Sequence, residues 1–433
     1  MRGMKLRSGL LAAVVATMST MAFSTVSQAA QLKALVGGNV IDVESGKTIE
    51  NATVLIDGER ITEIGSRDKV TVPAGTEVVD VTGKYLTPGL VNMHVHFTLV
   101  LPGAQAMDLQ YETEAEMAYR AAENARKSLL SGTTTVRTPG EDHHVTLSLD
   151  KAIKKGYEMG PRIFSAGIPV TPTGGHSGGP VENGVDGKTE VAKHVRRQIL
   201  AGATWIKLMI TRGLADPHGA IASSDMTLEE MKIAVDIAHG HGVKVAAHCS
   251  NKVAALEALK AGVDTFEHGY FFDEEIFKAM KKAGAWYVPT IVVSQQGAME
   301  FFAKIGSPEW YLERARSVGK LHWKSLQTAI KMGVNIAMGS DQFPYEPNEG
   351  TVASIRETEL YVEAGMTPAE ALRTATLNPA RALEADKDVG SLKAGKYADI
   401  LVLEKNPLED IRALRTLGMV MKGGTVVRND WQN

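Results

Sequence analysis

Pro88-Gly89-Leu90-Val91-Asn92-Met93-His94-Val95-His96 reads as a turn followed by a short apolar run that carries two imidazoles. Side chains alternate along an extended strand, so residues two apart share a face. His94 and His96 can therefore reach one ion. An isolated His-x-His usually sits on a surface or hydrogen-bonds inside a core. What gives this pair weight is the company further along: Lys207, His248, His268 and Asp341 each stand in or just after a short apolar run. Metal sites are built from such convergence.

The runs themselves decide the architecture. From about Tyr85 short apolar strands alternate with amphipathic helices, the pattern of parallel β/α units. Thr227 and Glu230 make a capping box for a helix ended by Gly240 and Gly242, and strand Val243–Ala247 then closes on His248. Helix Lys252–Ala261 stops at Gly262, strand Val263–Phe266 leads to His268, Asp273 caps a helix ending at Gly284, and strand Trp286–Val293 follows. Further strands are expected up to His96, over Thr133–Arg137, Arg162–Ile168 and Trp205–Met209, and over Val334–Met338 before Gly339-Ser340-Asp341. Together they number eight, as an α/β fold of the (β/α)8 TIM-barrel type requires, and that fold keeps its active site at the C-terminal ends of the strands. The candidate ligands fall there.

The flanks have another texture. Residues Leu32 to about Val81 read as short strands, with a hairpin at Asp57-Gly58. Thr367 to Glu370 open a capped helix with Pro368 at its first position, and strands return at Ala398–Leu403 and Met419–Val427. The expected organisation is a TIM barrel over residues 85–384 and a small β-sandwich formed jointly by 30–84 and 385–433. Residues 1–29 read as a secretory signal peptide: Arg2, Lys5 and Arg7 precede an apolar run from Leu10 to Phe23 and a small-x-small site at Ser27-Gln28-Ala29. That run is shorter than the ~20 residues of a membrane-spanning helix. An exported protein, periplasmic or secreted, is expected.

With 47 basic and 50 acidic side chains, a net charge of −3 and no long single-sign block, nothing recommends nucleic acid or an anionic membrane as partner. A small-molecule substrate of little net charge is expected, and a homo-oligomer. The single cysteine, Cys249, allows no intrachain disulfide.

Lys207 is the most diagnostic residue. Its ammonium lies inside the apolar Trp205-Ile206-Lys207-Leu208-Met209, where desolvation depresses the pKa. A neutral amine there can form a Schiff base or take up carbon dioxide as a carbamate, which bridges cations; a packed stem with a snorkelling head is the plainer alternative.

The sequence resembles the amidohydrolase superfamily over essentially the whole mature chain. The resemblance runs from the hairpin through the His-x-His segment, the strand lysine, the later histidines and Gly-Ser-Asp to Thr376-Leu377-Asn378-Pro379-Ala380 and Gly390 to Asp399. Within it the chain looks closest to imidazolonepropionase-related metal-dependent hydrolases, which include prolidase-like dipeptidases, carboxypeptidases and ochratoxin-degrading amidases. The resemblance implies that His94, His96 and Asp341 hold one divalent ion, zinc in type, that His248 and His268 hold a second, and that carboxylated Lys207 bridges the two. It implies hydrolysis of amide bonds in dipeptides or N-acyl amino acids, ochratoxin-like amides included, by metal-activated hydroxide, with Asp341 as general base and then general acid. A lactonase or cyclic-amide hydrolase is the alternative, and a non-catalytic periplasmic binding protein on the same barrel is an alternative of another class.

For substrate contacts the resemblance offers His176, in Gly174-Gly175-His176, for a carbonyl or carboxylate. His144, beside His143 after the second strand, is a further candidate, as is Arg212, which could grip a carboxylate bidentately or simply make a surface salt bridge. Asn92, Thr138-Pro139 and Arg212 depart from the usual pattern of the superfamily; none of them removes a ligand.

Overall fold

The computed structural model describes residues 32–109, 111–177, 183–341 and 353–431; the expected signal peptide lies outside them. Among the described residues no helix is long and apolar enough to cross a membrane.

The strands in chain order are β1 (Lys33–Asp42), β2 (Lys47–Asp57), β3 (Arg60–Ser66), β4 (Glu77–Asp80), β5 (Tyr85–Pro88), β6 (Leu90–Asn92), β7 (Thr133–Thr138), β8 (Arg162–Ser165), β9 (Trp205–Met209), β10 (Lys244–Cys249), β11 (Thr265–His268), β12 (Trp286–Val288), β13 (Ile400–Leu403), β14 (Leu417–Lys422) and β15 (Thr425–Asn429). The two ends of the chain share one eight-stranded sheet, ordered β15-β14-β13-β5-β1-β2-β3, with β4 also paired to β1. The join is the antiparallel pairing of β5 with β13, Ile400 opposite Pro88 and Leu403 opposite Tyr85. β2 and β3 form the expected hairpin, turned at Gly58 with φ +56°. One face buries Leu35, Val54, Ile56, Leu86, Ile400, Val402 and Met421 in a common core.

The remaining strands lie in two parallel sheets, β6-β7-β8 and β12-β11-β10-β9. Hydrogen bonds run between them on both sides. Val170 N donates to Lys207 O at 2.8 Å and Met209 N to Val170 O at 3.0 Å; Tyr287 N donates to Asn335 O at 2.8 Å, Ala337 N to Tyr287 O at 3.0 Å, and Met93 N to Met338 O at 2.8 Å. Four barrel strands are shorter than the sequence suggests, the one expected over Arg162–Ile168 ending at Ser165. Regular pairing of the first ends at Asn92, so His94 and His96 lie just past it. The strand expected over Trp286–Val293 stops at Val288, because Pro289 has no N–H to donate and Thr290 turns the chain at φ 51° into the 3-10 segment Ile291–Ser294. The segment Val334–Met338 contributes an isolated bridge, Tyr287 to Ile336, in place of a regular strand.

The helices form where their caps predict. Thr227 and Glu230 close both halves of a capping box, as do Thr367 and Glu370. Asp273 accepts from Glu275 N and Ile276 N, and Gly262 and Gly284 end their helices in left-handed conformation.

Candidate functional site

His94, His96, Lys207, His248, His268, Asp341 and His176 all line one cavity of about 680 Å³. Ligand atoms of His94, His268 and Asp341 lie within 4.8 Å of one another. His94 Nε2 and His96 Nε2 are 3.2 Å apart, and Asp341 Oδ1 is 3.5 Å from the first and 3.2 Å from the second. His268 stands 5.0 Å from the His94 ring and 4.6 Å from the His248 ring, centre to centre.

Each imidazole is held by its outward nitrogen. His94 Nδ1 donates to Glu267 at 2.8 Å, His96 Nδ1 to Gly140 O at 2.7 Å and His248 Nε2 to Arg212 O at 3.0 Å, while His268 Nδ1 meets Thr290 Oγ1 at 2.7 Å. A neutral ring carries one N–H. Spending it on a carboxylate or carbonyl leaves the other nitrogen as a lone pair, which fixes the ring's tautomer for ligation. Burial, reinforced by Lys207, depresses His94 to about 4. His248 and His268 go well below the ordinary range through burial and their neighbouring imidazoles. Neutral rings are what a cation requires; His96 differs, since burial lowers its pKa but the hydrogen bond and charge of Asp341 outweigh that and raise it. Burial alone would raise Asp341, but His94 and His96 outweigh it and keep the carboxylate ionised. Buried nitrogen lone pairs facing an ionised carboxylate are a donor set that suits a divalent cation.

Lys207 occupies the fully buried strand β9. Burial brings its ammonium down to about 8, against the pull of Glu267. His268 and Asp341, at φ 65° and 52°, sit in the left-handed region that side chains seldom adopt, a strain kept where the surroundings over-determine the backbone. Asp341 N donates to His94 O at 2.7 Å and so ties the two chain segments together.

Two functional residues escaped the sequence analysis. Glu267, fully buried, bonds His94, Arg137 Nη2 at 2.7 Å and Thr265 Oγ1 at 2.6 Å. Arg137, also fully buried, donates to Met93 O at 2.7 Å and lies over the Trp205 ring at 4.5 Å. Burial opposes ionisation of Glu267, yet Arg137 and then His94 overcome it and hold the carboxyl well below its usual range. The signal was available: a charge inside a strand, the argument applied to Lys207, holds equally for Arg137 and Glu267.

Of the substrate candidates, His176 reaches the cavity. Its Nδ1 lies 2.9 Å from Asp216 Oδ2, and its ring is 4.3 Å from that of His248. Asp216 also accepts from Gly213 N at 2.8 Å. A Cβ at Gly213 would come within 2.3 Å of the His176 ring. Gly213→Ala is therefore expected to push the imidazole aside and lower kcat/KM by about tenfold to a hundredfold with metal content unchanged; unaltered kinetics would mean that the 213–216 loop yields instead.

The other two candidates point elsewhere. His144 begins helix Val145–Lys154 and turns its Nε2 to Gln198 Oε1 at 2.9 Å, leaving the cavity wall to His143, which pairs with Glu114 at 2.5 Å. Arg212 gives only its carbonyl to the site. The bridge between Thr211 and Ser224 brings Asp225 alongside, and the guanidinium pairs with it at 3.0 Å.

Residues 85–427 match the amidohydrolase family. The chain is 30% identical over 437 residues to ochratoxinase of Aspergillus niger, covering 89% of this chain and 87% of that one. It is 26% identical over 428 residues to imidazolonepropionase of Shouchella clausii, with the same shares covered. Among solved structures, a Xaa-Pro dipeptidase with bound methionine in the active site superposes with a TM-score of 0.85 at 31% identity, covering 92% of this chain and all of that one. The match thus takes in the cavity with its imidazoles, Lys207 and Asp341, and the chain belongs to the amidohydrolase family, as a hydrolase of C–N bonds.

Proposed function

We propose that this chain is an exported enzyme that hydrolyses the amide bond of dipeptides or N-acyl amino acids with two divalent cations, zinc in type. His94, His96 and Asp341 would hold one, His248 and His268 the other, with Lys207 as a carbamate between them. The observation that carries this reading is the convergence in one cavity of imidazoles tethered by their outward nitrogens, an ionised Asp341 and a buried lysine. Likeness to an ochratoxinase and to a dipeptidase that binds methionine favours a substrate ending in an amino acid. The hydrogen bonds that link the parallel sheets at Val170 and at Tyr287 and Met93 support a closed eight-stranded barrel around the site.

Bound divalent cations supply Lewis acidity, which lowers the pKa of water and polarises a carbonyl. The rest falls to the chain's own groups. Lys207, held near 8 by burial, is partly neutral at ordinary pH and can add carbon dioxide with loss of a proton. Asp341 stays ionised beside His94 and His96, so it can take a proton from the attacking water and return it to the leaving amine. Glu267 keeps the His94 lone pair turned inward. His176, steadied by Asp216, stands over the His248 ring where it can bind the substrate carbonyl.

Dialysis against a chelator is expected to reduce amide hydrolysis more than about a hundredfold, and added zinc to restore it. Turnover that survives with no divalent ion found by elemental analysis would refute the proposal.

A further inference from the structure

The cavity has a charged wall that the proposed chemistry leaves without a task. Lys193 and Arg197 both line it. They are four residues apart on helix Gly187–Ala201, whose Val191, Ala192 and Val195 are buried. The helix is thus seated by its apolar face while the two cations, both exposed, stand one turn apart beside the cavity. Like charges at this spacing repel. Among the described residues neither makes an ion pair, whereas the Arg212 guanidinium is matched by Asp225.

The acidic lining residues are mostly engaged elsewhere. Glu141 accepts from Phe97 N at 2.7 Å and Thr98 N at 3.0 Å, and Glu190 accepts from Asp186 N at 3.0 Å. Asp142 is left, exposed to solvent. His194, between the two cations in sequence, is bonded to Ile168 O at 3.1 Å.

We infer that Lys193 and Arg197 form an anion-reading wall, so that the preferred substrate carries a carboxylate in addition to that of its terminal amino acid. Acidic dipeptides and N-acyl derivatives of dicarboxylic amino acids are the class that fits. This inference rests on the amide-hydrolase reading and narrows it. A guanidinium offers paired N–H donors to a carboxylate, and a neighbouring ammonium adds a mobile charge. Because both groups are exposed, the gain is modest and sensitive to salt.

The test uses the full metal-loaded chain and pairs of substrates that differ in one charge: N-acyl-glutamate against N-acyl-glutamine, and N-succinyl-phenylalanine against its succinamoyl counterpart. In at least one pair the acid is expected to show about tenfold higher kcat/KM at low salt. The preference should shrink as sodium chloride is added, and fall to about twofold or less in Lys193→Gln/Arg197→Gln. Equal rates for acid and amide in both pairs, or a preference that persists in the double variant, would overturn the inference while leaving amide hydrolysis standing. If no amide is cleaved at all, the reading of the reaction fails, and binding decides the wall by itself. Glutarate should then bind the metal-loaded chain at least about fivefold more tightly than butyrate, with the advantage lost in the double variant. Equal affinity for the two acids would overturn the wall as well.

Discussion

Lys207→Ala is expected to lower kcat/KM for amide hydrolysis by about 10³- to 10⁴-fold and to leave less than the full complement of metal on the purified chain. The side chain is fully buried in β9, at the floor of the cavity where the imidazoles converge. A snorkelling lysine would be replaceable by arginine, which keeps the charge, whereas a carbamate would not, since guanidinium stays protonated. Lys207→Arg should therefore fail as completely as alanine. If Lys207 acts as a carbamate, a short carboxylic acid added to the alanine variant should restore part of the activity by standing in for it. Elemental analysis and turnover, read together, settle the matter: wild-type rates with two ions bound to Lys207→Ala would remove the bridging role.

Arg137→Met carries the largest expected cost in stability, about 3–5 kcal/mol, because it strands Glu267 as an uncompensated buried charge. Glu267 depends on that guanidinium first and on His94 second. Without it the carboxyl must take up a proton or pull harder on the His94 ring, so bound metal should weaken as well. A second change, Glu267→Gln, removes the stranded charge and should recover part of the loss, which marks direct coupling between the two sites. Thermal unfolding of the two single variants and the double variant measures this. A midpoint for Arg137→Met within about 1 °C of wild type would show that the pair contributes no such stability.

Much of the site is legible in the sequence because each candidate ligand stands in or just after a short apolar run of the kind that marks a strand. His94, His96, Lys207, His248, His268 and Asp341 could be placed on one cavity without knowing any loop. Caps made helix starts equally plain, as at Thr227 and Thr367. What could not be read depended on partners remote in sequence. For Arg212 the sequence leaves a substrate carboxylate and a salt bridge both open; the salt bridge forms, and its partner Asp225 is brought close only by the pairing of Thr211 with Ser224. His144 and His143 are chemically identical, and a helix start at Val145 decides which of them faces inward. Strand lengths failed where single residues override apolarity, as Pro289 and Thr290 do after Val288. Arg137 and Glu267 are marked in the sequence as charges within strands, but that they pair with each other is not, since they lie in different strands.

The sheet shared by the two chain ends has a consequence for biogenesis. β5 stays an edge until β13 arrives more than three hundred residues later, so no order of synthesis from the amino terminus can finish that unit early. Until the last stretch leaves the ribosome, an apolar strand flank is open to mispairing with other nascent copies. A chain of this design gains from delayed folding, and a truncation that removes β13 would leave one side of β5 without its partner.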